Sequence, residues 1–241
     1  MTNRNAGTLP MKNERATSAR IAGFGLILMV ILAIFSKFFV LDSFIIAGDA
    51  AATAKNIMDN ELLFRFGIVS FILVIILDVI VSWALYIFFK PVNKNLSLLT
   101  AWFRLVFLTI WVSVFYQLLN IPQLLSGAEY LKAFETDQLH AQVMMAIDAF
   151  SVGWKVSLIF FGMHILLLGY MVIKSGSMSK IIGVLLIIAS AGYFLDSFAQ
   201  FLLPNYMDYE TMFLAIVAIT GIIGETSFLV WLLIKGVKVD K

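Results

Sequence analysis

Long apolar runs alternate along the chain with short polar connections. The runs cover about 21–40, 66–89, 98–119, 151–173, 181–203 and 212–234. At a rise of about 1.5 Å per residue, each is close to the roughly 20 residues that a helix needs to cross a bilayer core. The pattern predicts an all-α membrane protein. Six transmembrane helices form one bundle domain over 21–235, between an N-terminal tail over 1–20 and a short tail over 236–241. The first run follows a polar, basic stretch, as in a signal peptide. It exceeds the about 7–15 residues of a signal-peptide core and no A-x-A-like site follows, so it reads as a retained first span.

The connections carry turn and cap signals. Tight turns are predicted at KPVNKN around Pro91 and KSGSMSK around Gly176. On the other side, Asp49 is placed to cap a short amphipathic helix with Ile57, Leu62 and Leu63 on its apolar side. Ser126 and Glu129 have the spacing of a capping box for a second short helix reaching Ala133 or Phe134. Thr136 is placed to cap a long helix over 136–174 that no Pro interrupts. The two short helices are expected on the outer face, as surface anchors more than as a lid.

Charge gives the orientation. Arg4, Lys12, Arg15, Arg20, Lys90, Lys94, Lys174, Lys180, Lys235, Lys238 and Lys241 all fall on one side, against Glu14 and Asp240. The opposite side holds Asp42, Asp49, Asp59, Glu61, Glu129, Glu135, Asp137, Asp208 and Glu210. By the positive-inside rule both termini are expected in the cytoplasm. The localisation expected is a bacterial cytoplasmic (inner) membrane, crossed several times.

Composition agrees and excludes other classes. The sequence is 61% hydrophobic and 13% charged, against roughly a quarter charged in a soluble domain. A net charge of +2 without a basic run offers no nucleic-acid surface. The absence of Cys removes thiolate chemistry and disulfides. The expected partner is the lipid bilayer, with a small-molecule or lipid ligand. No cofactor or metal is assigned, since no metalloprotease, nucleophile-elbow or phosphate-loop motif occurs.

The interior charges are the candidate chemistry, because an ionised side chain in hydrocarbon is costly and persists only if paired, wetted or used. Counting from the cytoplasmic ends places Asp78, Arg104, His164 and Glu225 roughly 10–17 Å deep, on four different helices. In one reading this inner layer is an ion-pair network: Arg104 pairs with Asp78 or Glu225, and His164 bonds the remaining carboxylate. In the other it is a binding site. A second, outer group of Lys155, Asp196 and Asp148 reads as structural. Gly221 and Gly192 lie one turn before Glu225 and Asp196, where they would let helices approach closely. A stripe of Thr109, Ser113, Tyr116 and Asn120 would line a polar cavity or bond between helices. Asp148, Lys155, Gly162 and Gly169 recur every seven residues, whereas His164 falls near the opposite face. Either the long helix is central and buried on two sides, which is the favoured reading, or a bend near Gly153 or Gly162 rotates its halves. Tyr86, Tyr170, Tyr116, Tyr206 and Tyr209 fit an aromatic belt.

GDAAATAKNI, Phe64-Arg65, Asp78, Leu85-Tyr86, Pro91-Val92-Asn93, Phe103-Arg104-Leu105, FFGMHILLLGY, GYFLDSF and Gly224-Glu225 together resemble a bacterial multi-span inner-membrane family. That family is catalogued as a domain of unknown function, number 4386 in its series. The resemblance implies an inner-membrane protein of about six helices and implies no activity.

Three functional readings stand on this layer. The first is small-molecule binding or transport, coupled to protons through Asp78, His164 or Glu225. The second is an intramembrane enzyme using carboxylate and His164 chemistry, with or without a metal, on a lipid. The third is a structural or regulatory membrane protein.

Overall fold

The computed structural model describes residues 8–236, with side chains from Glu14 onward. The tail charges Arg4, Lys12, Lys238, Asp240 and Lys241, and the C-terminal tail beyond Gly236, lie outside the described side chains. The described residues are almost wholly helical: α1 (Thr8–Ile34) running into a π-helical segment (Phe35–Leu41), α2 (Asp42–Phe44), α3 (Ala50–Asp59), α4 (Glu61–Phe89), α5 (Lys94–Leu119), α6 (Ile121–Leu124), α7 (Thr136–Lys174), α8 (Lys180–Leu202) and α9 (Glu210–Ile234). Two 3-10 turns, Glu129–Ala133 and Tyr206–Asp208, complete the connections. Six helical stretches are long and apolar enough to cross a membrane: Glu14–Phe44, Glu61–Phe89, Lys94–Leu124, Thr136–Lys174, Lys180–Leu202 and Glu210–Ile234. The fold is the expected all-α bundle of six spanning helices.

The helices outrun the apolar runs that announce them, because polar residues continue a helix past the hydrocarbon edge. α1 begins at Thr8 instead of Ile21, and Ser18 and Ala19 are already buried, so the end of the expected tail is packed helix. α7 runs 39 residues, about 58 Å at 1.5 Å per residue and well beyond a bilayer core.

The turns follow their chemistry. Pro91 cannot continue α4, and Asn93 Oδ1 accepts the Leu96 N–H at 2.9 Å to start α5. After α7 the chain reverses through Gly176 at φ +65°, a left-handed conformation that favours glycine. Asp49 caps α3 as expected, accepting the Ala52 N–H at 2.8 Å. Leu62 and Leu63, however, belong to α4 and are exposed, so the buried side of α3 is Ile57 with Ala54 and Thr53.

Two cap readings fail. Glu129–Ala133 is a 3-10 turn entered from Ala128, without a capping box; Ser126 Oγ instead donates to the Gln123 carbonyl at 2.7 Å. α7 is entered from Glu135, whose N–H donates to Gln138 Oε1 at 3.0 Å and whose carbonyl accepts the Leu139 N–H at 3.2 Å. Thr136 is its first helical residue.

The chain divides into two compact units. One gathers α1 up to Ile27, Leu77–Leu108 and everything from Lys155 onward. Its core includes Phe88, Phe89, Leu168, Met171, Leu186 and Leu232, all nearly inaccessible. Phe89 stacks on Phe228 with ring centroids 6.2 Å apart. In the same unit α8 and α9 pack tightly: a Cβ on Gly224 would lie 2.9 Å from the Leu185 carbonyl oxygen, and one on Gly192 would lie 2.7 Å from Thr220 Oγ1. The other unit comprises Leu28–Ile76 and Thr109–Trp154. Phe71 is its centre, with Trp111, Phe115 and Phe150 at 5.9, 5.8 and 6.2 Å.

Candidate functional site

The inner candidates all lie in the first unit, and three of them are bonded together. Arg104 on α5 donates its Nε–H to Asp78 Oδ1 on α4. Its Nη1 lies 3.1 Å from His164 Nε2 on α7. The other imidazole nitrogen, Nδ1, lies 2.9 Å from the Thr100 carbonyl oxygen, one turn before Arg104. A carbonyl only accepts and a guanidinium only donates, so the tautomer follows. Nδ1 carries the proton and donates to Thr100, while the Nε2 lone pair accepts from Arg104. His164 is therefore neutral in this arrangement. Asp78, Arg104 and His164 are each at most 3% exposed.

Aromatic rings also pack against the cluster. The Arg104 guanidinium carbon lies 5.7 Å from the centroid of Phe161. Phe161 also meets Phe107 at 5.0 Å and Tyr193 edge-on at 5.2 Å. The crevice on the imidazole side is lined by Ser82, Tyr86, Ser97 and Thr100, among others; its empty space of about 180 Å³ is nowhere wide enough for a water molecule. On that side the packing leaves no room for a water molecule.

Glu225 on α9 is the exception. Its expected partner was Arg104 or His164, but Oε1 accepts instead from the Tyr193 hydroxyl on α8 at 2.6 Å. Neither Glu225 nor Tyr193 is fully buried. The reason is the α8–α9 seam. A Cβ on Gly221 would lie 3.2 Å from the Tyr193 hydroxyl and 3.4 Å from Glu225 Oε1, so the absent side chain leaves the space in which they meet. His164, with both ring nitrogens engaged, has no bond left for that carboxylate.

The outer group gains a member and loses one. Lys155 Nζ on α7 is 2.6 Å from Asp196 Oδ2 on α8 and 2.9 Å from the Tyr206 hydroxyl. That hydroxyl donates to Asp196 Oδ1 at 2.6 Å. Tyr206 lies in the turn beyond α8, outside the spanning helices. Burial first, and then the hydrogen bond to Asp196, pushes its phenol well above the ordinary tyrosine range. Asp148, expected beside Lys155, is exposed on α7.

α7 is one continuous helix serving two faces, as expected. Lys155 pairs with Asp196, a Cβ on Gly162 would meet Phe194 at 2.9 Å, and one on Gly169 would meet the Gly183 carbonyl oxygen at 2.7 Å, so this stripe faces α8. His164 faces α5. On α5 itself the predicted polar stripe lies at the surface: Thr109, Ser113 and Tyr116 are exposed and Asn120 is half-buried. Ser113 Oγ donates back to the Ile110 carbonyl at 2.6 Å.

Sequence reasoning missed Thr100, Tyr193 and Tyr206. Thr100 enters through its backbone, which no side-chain pattern reports. Tyr193 stands in the GYFLDSF run but serves a carboxylate on the next helix. Tyr206 looks like one more interfacial tyrosine.

Comparison with known proteins adds a family and no activity. A family model described as "Domain of unknown function (DUF4386)" matches residues 21–236. An uncharacterized protein of the archaeon Archaeoglobus fulgidus is 34% identical over 176 residues, covering 73% of this chain and 87% of the relative. No solved structure matches the chain.

Proposed function

The chain belongs to the DUF4386 family, and we propose that it is a multi-pass membrane protein that binds or transports a small molecule coupled to a proton held at Glu225. The reading rests on charge balance. The inner cluster and its neighbour contain two carboxylates, Asp78 and Glu225, one guanidinium, Arg104, and a neutral imidazole, His164. Arg104 is committed to Asp78. Among the described residues Glu225 has a phenol as its hydrogen-bond partner and no cation. A carboxylate at this depth is unfavourable until a proton or cationic group compensates it. Positive-inside charge supports placing both termini in the cytoplasm of a cell whose inner membrane holds the protein.

The test needs no substrate. Infrared difference spectra of the reconstituted protein between mildly acidic and mildly alkaline buffer should contain one titrating carboxyl band that E225Q lacks. A panel of small solutes is then screened for thermal stabilisation at both pH values, with stabilisation depending on pH in wild type and not in E225Q. Identical spectra for the two proteins would refute the proposal.

One observation favours a second reading. The near-complete burial of Asp78, Arg104 and His164 is what a purely structural ion-pair network would give. On that reading, neutralising the cluster lowers stability and no solute restores it. The enzyme reading stands behind both, because neither ring nitrogen of His164 is free to take a proton or a metal.

A further inference from the structure

We infer that the second unit carries a binding site for the phosphate headgroup of a membrane phospholipid, with Arg65 as its anion ligand. The pocket has a volume of about 360 Å³, within the range of small-molecule sites and large enough for a headgroup. It lies where α4 begins and α5 ends, so it meets the membrane–water boundary expected from the lengths of those spans.

Its lining is divided along that boundary. Arg65, Gln123 and Ser126 supply polar groups beside the connection, while Ile68, Val69 and Leu119 supply an apolar wall. Ile68 and Val69 stand one helical turn further into the span than Arg65, so the wall continues in the direction an acyl chain takes. A glycerophospholipid uses both parts, its phosphate on the polar end and its acyl chain along the wall.

Arg65 is preset for the task. Its Nε–H and Nη2–H both donate to Glu61 Oε1, at 2.8 and 2.6 Å, one turn earlier on α4. The Nη1 amino group has no partner among the described residues. Guanidinium and phosphate match in geometry, and both components of the salt bridge remain exposed, so the pair orients the side chain without burying its charge. Glu61 also balances the charge of Arg65, which suits a zwitterionic head such as phosphatidylethanolamine at least as well as an anionic one. The site does not depend on the proposal for Glu225.

Native mass spectrometry of protein extracted in a maltoside detergent, titrated with phosphatidylethanolamine and phosphatidylglycerol, tests this. Wild type should retain one phospholipid that R65Q loses, with affinity falling at least tenfold. V69W, which fills the apolar wall at an exposed position, should lose it too, and E61Q should keep it. Arg65 is exposed, so unfolding in lipid-free detergent should be unchanged in R65Q; if that variant does not fold, V69W decides. Equal retention by wild type and the variants overturns the site. Inorganic phosphate displacing the lipid, or stabilising wild type equally well, overturns the lipid assignment in favour of a free-anion site.

Discussion

Arg104 Nη1 reaches His164 Nε2 at 3.1 Å across the α5–α7 contact, and this one bond fixes which nitrogen of the imidazole holds the proton. A guanidinium has no lone pair to offer, so Nε2 is the acceptor and the proton sits on Nδ1, toward Thr100. The histidine thereby satisfies a donor of Arg104 and a backbone carbonyl of α5 together. A second proton on the ring would set an N–H against an N–H, with two positive charges about 3 Å apart in a buried cluster.

The tautomer is directly observable. With two histidines in the chain, His140 and His164, nitrogen NMR of histidine-labelled protein is assigned by one variant, H140A. The His164 signals should show a protonated Nδ1 and a hydrogen-bonded, unprotonated Nε2 at neutral pH. An imidazolium spectrum, or the opposite tautomer, would contradict the network.

Breaking the Arg104–Asp78 pair from one side should be far worse than removing both charges. R104M leaves Asp78 in a site 1% exposed with no compensating charge, a loss of about 3–5 kcal/mol. D78N does the reverse to Arg104. The double variant D78N/R104M should recover part of the loss, and R104K should not rescue, since an ammonium lacks the planar fork that reaches Asp78 and His164 at once. Thermal unfolding in detergent across the set measures the coupling. Equal, additive losses would mean that the two residues act independently.

Tyr206 joins both members of the Lys155–Asp196 pair, so Y206F removes two charge-assisted bonds while the direct 2.6 Å pair survives. The expected cost is about 1.5–3 kcal/mol. Its phenol is raised in the folded state above the reference value of 10.0. Its contribution is therefore complete below about pH 10 and lost as pH rises beyond it, where the unfolded chain releases that proton first. Stability of wild type should fall more steeply above this pH than that of Y206F, and tyrosinate absorbance should show one fewer late-titrating group in the variant. Parallel pH profiles would show that the hydroxyl is not held as described.

How far the sequence leads depends on what each residue uses to make its contact. Span number followed from apolar length alone, and the two-faced role of α7 followed from the seven-residue spacing of Lys155, Gly162 and Gly169 against His164. Pairings within the layer were only partly legible. Asp78 and Glu225 look alike along the chain; Gly221 and Tyr193 on the α8–α9 seam decide that one carboxylate meets a guanidinium and the other a phenol. The stripe from Thr109 to Tyr116 is exposed: helical spacing shows that residues share a face and is silent on what that face meets.

The glycines on α7 and α8 give the last prediction, because three similar substitutions should differ in outcome. A Cβ on Gly183 would lie 2.6 Å from the Gly169 carbonyl oxygen and 2.5 Å from Ile173 Cγ1, and one on Gly169 would lie 2.7 Å from the Gly183 carbonyl oxygen. Backbone cannot step aside without the two helices separating, so the seam is a close approach that only glycine permits. G183A and G169A should each cost about 1–3 kcal/mol by overpacking, more than the roughly 0.5–1 kcal/mol that alanine gains over glycine within a helix. At Gly162 the nearest atom is Phe194 Cε1 at 2.9 Å, the edge of a ring on a half-buried side chain that is able to turn. G162A should therefore be near neutral, its helix gain offsetting a small displacement. Unfolding temperatures for the three variants in one detergent decide the matter: G162A close to wild type with G183A and G169A well below it supports the backbone contact, and three equal values refute it.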